Sequence, residues 1–238
     1  INININMYNN IITININHII SYSVPILTIS LCDLILIKFL GNKARWFQLH
    51  SLINFIITTI VIGDSIKFFI KPHLAIKYNN EHLDSKFILF LHLYHAVTFK
   101  LKKDEIIHHI VFVGFGILPT IFFINSNIIR VGYLACCGIP GVFEYALLTL
   151  VKHNIITNIK QKKITSYIYC FIRQPLALYS LFINIMFYQY NLIGYENLFM
   201  CLYVNILLYI NSCYYTHEIC YNYGYNMCNR YNLYKLNN

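Results

Sequence analysis

Apolar residues are distributed along the chain in long blocks that short polar segments separate. Seven such blocks cover residues 19–38, 46–70, 86–100, 106–125, 130–151, 165–189 and 197–220. Most are close to the roughly 20 residues that an α-helix needs to cross the bilayer core. The pattern therefore predicts an all-α, polytopic membrane protein with six to seven transmembrane helices. The prolines inside the blocks include Pro119, Pro140 and Pro175, which are expected to kink their helices.

The two ends of the chain lack such blocks. Residues 1–17 alternate isoleucine with asparagine and form a low-complexity N-terminal tail, without the basic segment that begins a signal peptide. Residues 18–222 form the transmembrane domain, and residues 223–238 form a C-terminal tail.

Composition supports a membrane protein and excludes a soluble module. Hydrophobic residues make up 58% of the chain and charged residues 11%, whereas a soluble domain carries about 25% charged residues. The net charge of +9 does not form a basic stripe on a soluble fold, so we expect no nucleic-acid partner. The eight cysteines include no CxxC pair, and we predict neither a disulfide nor a zinc site.

Basic residues are distributed unequally between the two sides of the predicted bundle. The segments 38–45, 100–105, 152–164 and 217–238 together hold twelve Lys and Arg, against five in the remaining loops. Because cytoplasmic loops carry the excess of Lys and Arg, this count places the N-terminus in the lumen and the C-terminus in the cytosol.

Polar residues inside the blocks lie mostly in one half of the membrane. With a rise of about 1.5 Å per residue, seven of them fall in the cytosolic half: Asp33, His50, His95, His108, His109, Glu144 and Arg173. Since ionisable groups in a membrane usually face the bundle interior or a wet cavity, we predict a shared polar cavity. The alternative is interfacial snorkelling with a structural ion pair between Glu144 and Arg173. Asp64 lies at the other level, and we expect it to pair with Lys67.

Two adjacent histidines, His108 and His109, begin the fourth block. Asp104 and Glu105 precede them by four residues each, which places each acid on the same helix face as its histidine. A carboxylate in that position would orient the imidazole as a general base. The line His109, Val113, Gly116 ends in a small residue, so we expect His109 to face the interior. The alternative is that both histidines are interfacial and hydrogen-bonded.

A metal site is a further possibility for four histidines, His92, His95, His108 and His109. The segment FLHLYHAVTF resembles the histidine box of fatty-acid elongases, and more loosely that of membrane di-iron desaturases. Those boxes need a second adjacent histidine where Ala96 stands. We therefore predict no metal and no cofactor.

Several segments together resemble the TLC-domain family, which includes ceramide synthases and non-synthase lipid-handling proteins. They are WFQLHSLINFI, IIHHIVF, NIIRVG, and IPGVFE followed much later by CFIRQP. Ceramide synthases have a His-Asp pair where Ile139 and Pro140 stand, so the resemblance is closer to the non-synthase branch. It implies a TLC-like fold in the endoplasmic reticulum or another endomembrane, with a mitochondrial membrane left open.

The resemblance and the predicted cavity together suggest a protein that binds, senses or remodels an acyl lipid, with membrane lipids as its partners. The candidate catalytic residues are His109, His108, Glu105 and Asp104, and the candidate lipid-binding residues are Arg173, Glu144, His95, His50 and Asp33. Catalysis is left open because the His-Asp motif is missing. Two alternatives remain: a non-catalytic accessory subunit that contacts other membrane-protein subunits, and an elongase-type enzyme.

Overall fold

The computed structural model describes residues 2–78 and 82–236, and the side chains of these residues except 2–18, 196, 230 and 232–236. Within these ranges the fold is all-α, as predicted, with eight helices and no β-strand. The loop residues Tyr78 and Ser126 form a single isolated β-bridge. The helices are α1 (Asn2–Leu40), α2 (Arg45–Ile70), α3 (Pro72–Ala75), α4 (Leu83–Thr98), α5 (Lys103–Phe123), α6 (Asn127–Lys152), α7 (Asn158–Gln189) and α8 (Tyr195–Leu236).

Six of these helices are long and apolar enough to cross a membrane. They are α2, α5, α6 and α7 in full, together with Ile19–Leu40 of α1 and Asn197–Asn229 of α8. Their lipid-facing sides carry exposed leucine, isoleucine and phenylalanine. The side chains of the predicted N-terminal tail lie outside the described residues, and the backbone of α8 continues as a helix to Leu236 through the predicted C-terminal tail.

The remaining predicted span corresponds to α4, which is only 16 residues long and measures about 24 Å. Its two ends nevertheless lie at opposite ends of the bundle. Asp84 contacts Arg130 at the start of α6, whereas His95 stacks on Trp46 at the start of α2. If the long helices cross a membrane, the chain direction requires α4 to cross as well. Its neighbours α1, α2 and α5 enclose it, which explains how buried polar residues such as Lys86 are tolerated.

We call the two ends of the bundle the His109 end and the Arg130 end. The Arg130 end is held by the segment that begins α6. Asn127 accepts a hydrogen bond from the Lys77 amide (2.8 Å) and donates one to the Ala75 carbonyl (3.0 Å). Arg130 bridges Asp84 (Nε to Oδ2, 2.7 Å) and Asp64.

Asp64 has two further cationic neighbours at this end. They are Lys77, with its Nζ 3.2 Å from the carboxylate, and Lys67, with its Nζ at 3.9 Å. The predicted pairing of Asp64 with Lys67 is therefore confirmed. It is the longest of the three ion-pair contacts that Asp64 makes among the described residues.

Three of the intramembrane prolines each follow a stretch of π-helix, whereas Pro25 lies within the regular helix α1. The stretches are His109–Ile117 before Pro119, Leu134–Gly138 before Pro140, and Tyr169–Arg173 before Pro175. Proline has no N–H and its ring collides with the carbonyl four residues earlier, so a widened turn relieves both problems. The expected kinks therefore take the form of π-turns, and the Gly138 backbone leaves helical geometry with ψ −124°.

Candidate functional site

A polar cavity of about 130 Å³ lies inside the bundle at the His109 end. Six helices contribute to its wall, namely α2, α4, α5, α6, α7 and α8. Seven of the nine predicted site residues line it: His50, His95, Glu105, His108, His109, Glu144 and Arg173. These residues, which the sequence placed in or next to the cytosolic half of the membrane, therefore share one cavity. Asp33 and Asp104 lie outside it.

Five histidines form the centre of the cavity wall. The ring of His92 on α4 has its centroid 5.7 Å from that of His50, 5.5 Å from that of His108 and 5.1 Å from that of His109. The His92 Nδ1–H donates to the Ile88 carbonyl oxygen (2.8 Å), which fixes the tautomer and leaves Nε2 as an acceptor. His95 completes the group, with its Nδ1 3.3 Å from Nε2 of His109.

Aromatic rings hold two of these histidines in place. His95 stacks on Trp46 with ring centroids 3.6 Å apart, and His50 stacks on Tyr145 at 3.7 Å. Flat stacking satisfies the ring faces and leaves the ring edges, which carry the nitrogens, for polar contacts. Nδ1 of His50 is buried and has no hydrogen-bond partner among the described residues. This nitrogen is enclosed, so a polar group in the cavity could bind to it only after the neighbouring rings shift.

Among the described side chains, neither Asp104 nor Glu105 forms a hydrogen bond or ion pair with the histidine four residues later, although Glu105 lies beside His109 in the cavity wall. Glu105 accepts from the Lys102 amide (2.6 Å) and so satisfies one of the unpaired N–H groups at the start of α5. Asp104 is exposed, and His108 instead has its Nδ1 3.2 Å from the Tyr215 hydroxyl of α8. Acids in the first turn of a helix are stabilised by its unpaired N–H groups and by the helix dipole. For Glu105 this local interaction takes precedence over a bond to the histidine four residues later.

Both members of the histidine pair line the cavity, one toward each neighbouring helix. His109 faces α4 through His95, and His108 faces α8 through Tyr215. The argument that favoured His109 assumed open space beside Gly116. Gly116 is buried, and a Cβ built on it would meet Leu207 at 4.0 Å. The glycine therefore packs against α8 and leaves no room for a chain.

Glu144 and Arg173 both line the cavity, but the predicted ion pair between them is wrong. Neither residue forms an ion pair with the other within the described part of the chain; Glu144 accepts a hydrogen bond from the Tyr169 hydroxyl. The guanidinium of Arg173 lies over the ring of Tyr169 at 4.5 Å and over that of Tyr215 at 5.5 Å. Tyr169 thus contacts both charged groups: its hydroxyl donates to the Glu144 carboxylate, and its ring lies against the Arg173 guanidinium.

Asp33 belongs to a separate cluster, contrary to the prediction that it lines the cavity. It is 1% exposed and accepts from Arg45 (Nε to Oδ1, 2.9 Å) and from the Tyr94 hydroxyl (2.6 Å). These contacts join α1 to α2 and α4. Asp33 lies at the same depth in the membrane as the cavity. Its side chain, however, leaves α1 on the side that faces Arg45 and Tyr94.

Sequence reasoning missed the aromatic and thiol part of the wall. Trp46, Tyr145, Tyr169 and Tyr215 line the cavity, as do Asn54, Cys136, Cys137 and Asn211. Tyrosine and cysteine in an apolar block look like ordinary membrane residues. The only available signal was spacing, since Asn211 and Tyr215 are four residues apart and so share a face of α8.

The arrangement provides hydrogen-bond acceptors and one buried cation rather than a ligand set for a metal. Within residues 2–78 and 82–236, no group of three or more histidine, cysteine, aspartate or glutamate side chains has the geometry to hold a metal ion. The histidine nitrogens instead contact a backbone carbonyl, a tyrosine hydroxyl and one another.

Arg173 is the unusual member of the wall. Its side chain is 4% exposed, and its Nε–H has no acceptor among the described residues. A buried hydrogen-bond donor on a charged group is costly without a partner. The cavity is therefore suited to a group that brings oxygen acceptors to this arginine.

Comparisons with known proteins do not identify the chain. A scan against protein-family models gives no match, and searches of curated proteins and of solved structures find no significant similarity. Membership of the TLC-domain family remains a prediction from the quoted segments.

Proposed function

We propose that the chain is an endomembrane lipid-handling protein that holds the polar part of an acyl lipid in the histidine-lined cavity. The observation that carries the proposal is the buried Arg173, whose Nε–H has no acceptor among the described residues while its side chain lines a polar cavity between apolar helices. A phosphate, carboxylate or ester oxygen would supply the missing acceptor.

The size of the cavity supports binding of a headgroup or acyl carbonyl rather than of a whole lipid. Its volume of about 130 Å³ is close to that of an engineered cavity of about 150 Å³ that binds one benzene molecule. An acyl chain is far larger, so the chain of a bound lipid would stay in the bilayer or between helices. The polar end would contact Arg173 and, once the neighbouring rings shift, the Nδ1 of His50.

If the lipid is remodelled, the histidine pair would supply the base. His108, oriented by Tyr215, or His109, oriented by His95, would take the proton of the attacking group during acyl transfer. Arg173 would stabilise negative charge that develops on the acyl carbonyl oxygen.

Charge distribution supports a cytosolic position for this end of the bundle. The segments 38–45, 100–105 and 152–164, which hold ten of the eighteen Lys and Arg, lie at the His109 end, and such segments are retained in the cytosol. A lipid would then enter the cavity from the cytosolic leaflet.

Lipid mass spectrometry on the purified protein tests the proposal. We expect one lipid class to be retained above its share in the membrane extract, and Arg173→Met to reduce that enrichment at least tenfold. Arg173→Lys, which keeps the charge but loses the fork of donors, should have an intermediate effect. Lys163→Met, at an exposed position of α7, serves as the matched control.

Three outcomes would count against all or part of the proposal. Identical lipid profiles for the native protein and Arg173→Met would mean that the arginine does not hold a lipid. No change in lipid turnover from His108→Ala or His109→Ala, with retention preserved, would remove the catalytic part. Loss of enrichment in all variants together with co-purification of other membrane subunits would favour an accessory role.

A further inference from the structure

We infer that Cys170 and Cys220 form a redox-active dithiol that a hydroperoxide oxidises to a disulfide between α7 and α8. The two Sγ atoms lie 3.7 Å apart in the resting, reduced protein. A disulfide needs a separation of about 2.05 Å. Closing the difference requires side-chain rotation and a small helix adjustment. None of the function proposed above is needed for this inference.

The pair lies close to the membrane surface, where a small oxidant can reach it. His108 on α5 contacts Tyr215 on α8, and the two helices run in opposite directions. Cys220 lies five residues beyond Tyr215, and Lys103 lies five residues before His108. With about 1.5 Å per residue, Cys220 is therefore level with the lysine that begins α5, at the His109 end.

The difference in exposure sets the order of reaction. Cys170 is exposed, whereas Cys220 is partly buried, so Cys170 is the thiol that meets the oxidant first. Its sulfur attacks one peroxide oxygen, the O–O bond breaks, and Cys170 becomes a sulfenic acid while water or an alcohol leaves. Cys220 then attacks the sulfenic sulfur, the S–O bond breaks, and the S–S bond forms with release of water. The peroxide gains the two electrons that the two thiols lose.

The bond would fix one wall of the cavity. Cys170 directly follows Tyr169, and Cys220 lies little more than one turn beyond Tyr215. The rings of these two tyrosines flank the Arg173 guanidinium, at 4.5 Å and 5.5 Å. A covalent link between α7 and α8 would therefore hold both rings at their resting separation. The cytosolic side of a membrane is reducing, which favours a reversible, regulatory disulfide over a permanent one.

Chemical trapping on the full-length protein in lipid nanodiscs tests the inference. After treatment with hydrogen peroxide or cumene hydroperoxide, alkylation and intact mass should show two fewer reactive thiols and a monomer lighter by two hydrogens. Peptide mapping should place the link between Cys170 and Cys220, and dithiothreitol should reverse it.

Single replacements separate the roles of the two thiols. Cys220→Ser should accumulate a sulfenic acid at Cys170 that dimedone traps at least fivefold more than in the native protein, whereas Cys170→Ser should trap little. Cys228→Ser, which removes another exposed thiol of α8, should oxidise like the native chain. A bridge that persists in Cys170→Ser, oxidation that spreads equally over other cysteines, or links only between separate chains would overturn the inference. These thiol measurements need no lipid ligand, so their result is independent of lipid retention.

Discussion

Replacement of Arg130 by methionine should destabilise the bundle far more than replacement of a surface lysine beside it. Arg130 is 16% exposed and bridges Asp64 (8% exposed) and Asp84 (1% exposed). Removal of the guanidinium leaves Asp84 without a cation among the described residues, while Asp64 retains only Lys77 and Lys67. Breaking a buried charge pair from one side costs about 3–5 kcal/mol.

The expected shift is large enough for a simple assay. For a chain of this size, about 1 kcal/mol corresponds to roughly 2–4 °C in Tm, so Arg130→Met should lower Tm by roughly 6–20 °C. Trp46 is the single tryptophan and stacks on His95 at the opposite end of the bundle. Its fluorescence during thermal unfolding in detergent therefore reports whether loss of the bridge destabilises the whole bundle.

Two controls define the result that would refute this reasoning. Lys67→Met removes a cation that is 58% exposed and 3.9 Å from Asp64, and such a pair contributes well under about 1 kcal/mol. The triple change Asp64→Asn, Asp84→Asn, Arg130→Met removes all three charges and should cost less than Arg130→Met alone. If Arg130→Met unfolds at the same temperature as Lys67→Met, the bridge does not stabilise the fold.

Further predictions concern the cavity wall and helix packing. Tyr169→Phe should destabilise the protein by about 1–3 kcal/mol, because Glu144 loses its hydrogen-bond donor; Tyr167→Phe, at an exposed ring on the same helix, is the control, and equal effects in thermal unfolding would contradict the assignment. Gly132→Ala should cost about 1–3 kcal/mol, because its Cβ would lie 2.5 Å from the Asn205 Oδ1 and 2.8 Å from a Leu208 methyl, both on α8. Gly63→Ala, with nothing within 4 Å, should be neutral or stabilising by up to about 1 kcal/mol.

Depth in the membrane could be predicted from the sequence, whereas direction around each helix could not. The rise per residue is nearly constant, so the level of His50, His95, Glu144 and Arg173 followed from their distance to the block ends. The line from His109 to Gly116 assumed 3.6 residues per turn. That segment is π-helical, and its wider turns move successive side chains to other faces.

Side-chain partners were the other part that the sequence could not supply. Glu105 bonds to a backbone amide and Glu144 bonds to the Tyr169 hydroxyl, rather than to the ionisable residues that the sequence suggested. Asp33 bonds to Arg45 and to the Tyr94 hydroxyl, outside the cavity. Hydroxyls of Tyr94 and Tyr169 compete for these carboxylates, and tyrosine carries no positional signal in an apolar block. The segment NIIRVG illustrates the same limit, since its residues lie at the end of the bundle away from the cavity.

The position of the cavity follows from Pro119, Pro140 and Pro175. Each of these three prolines is preceded by a π-turn, and a widened turn keeps its neighbours from packing as closely as straight helices do. Each π-turn also contributes to the cavity wall: His109 in α5, Cys136 and Cys137 in α6, and Tyr169 and Arg173 in α7. Three irregular turns at one level leave an opening that apolar side chains do not fill, and polar groups occupy it. The prolines that interrupt the apolar pattern therefore explain why polar side chains can meet inside the membrane at this level.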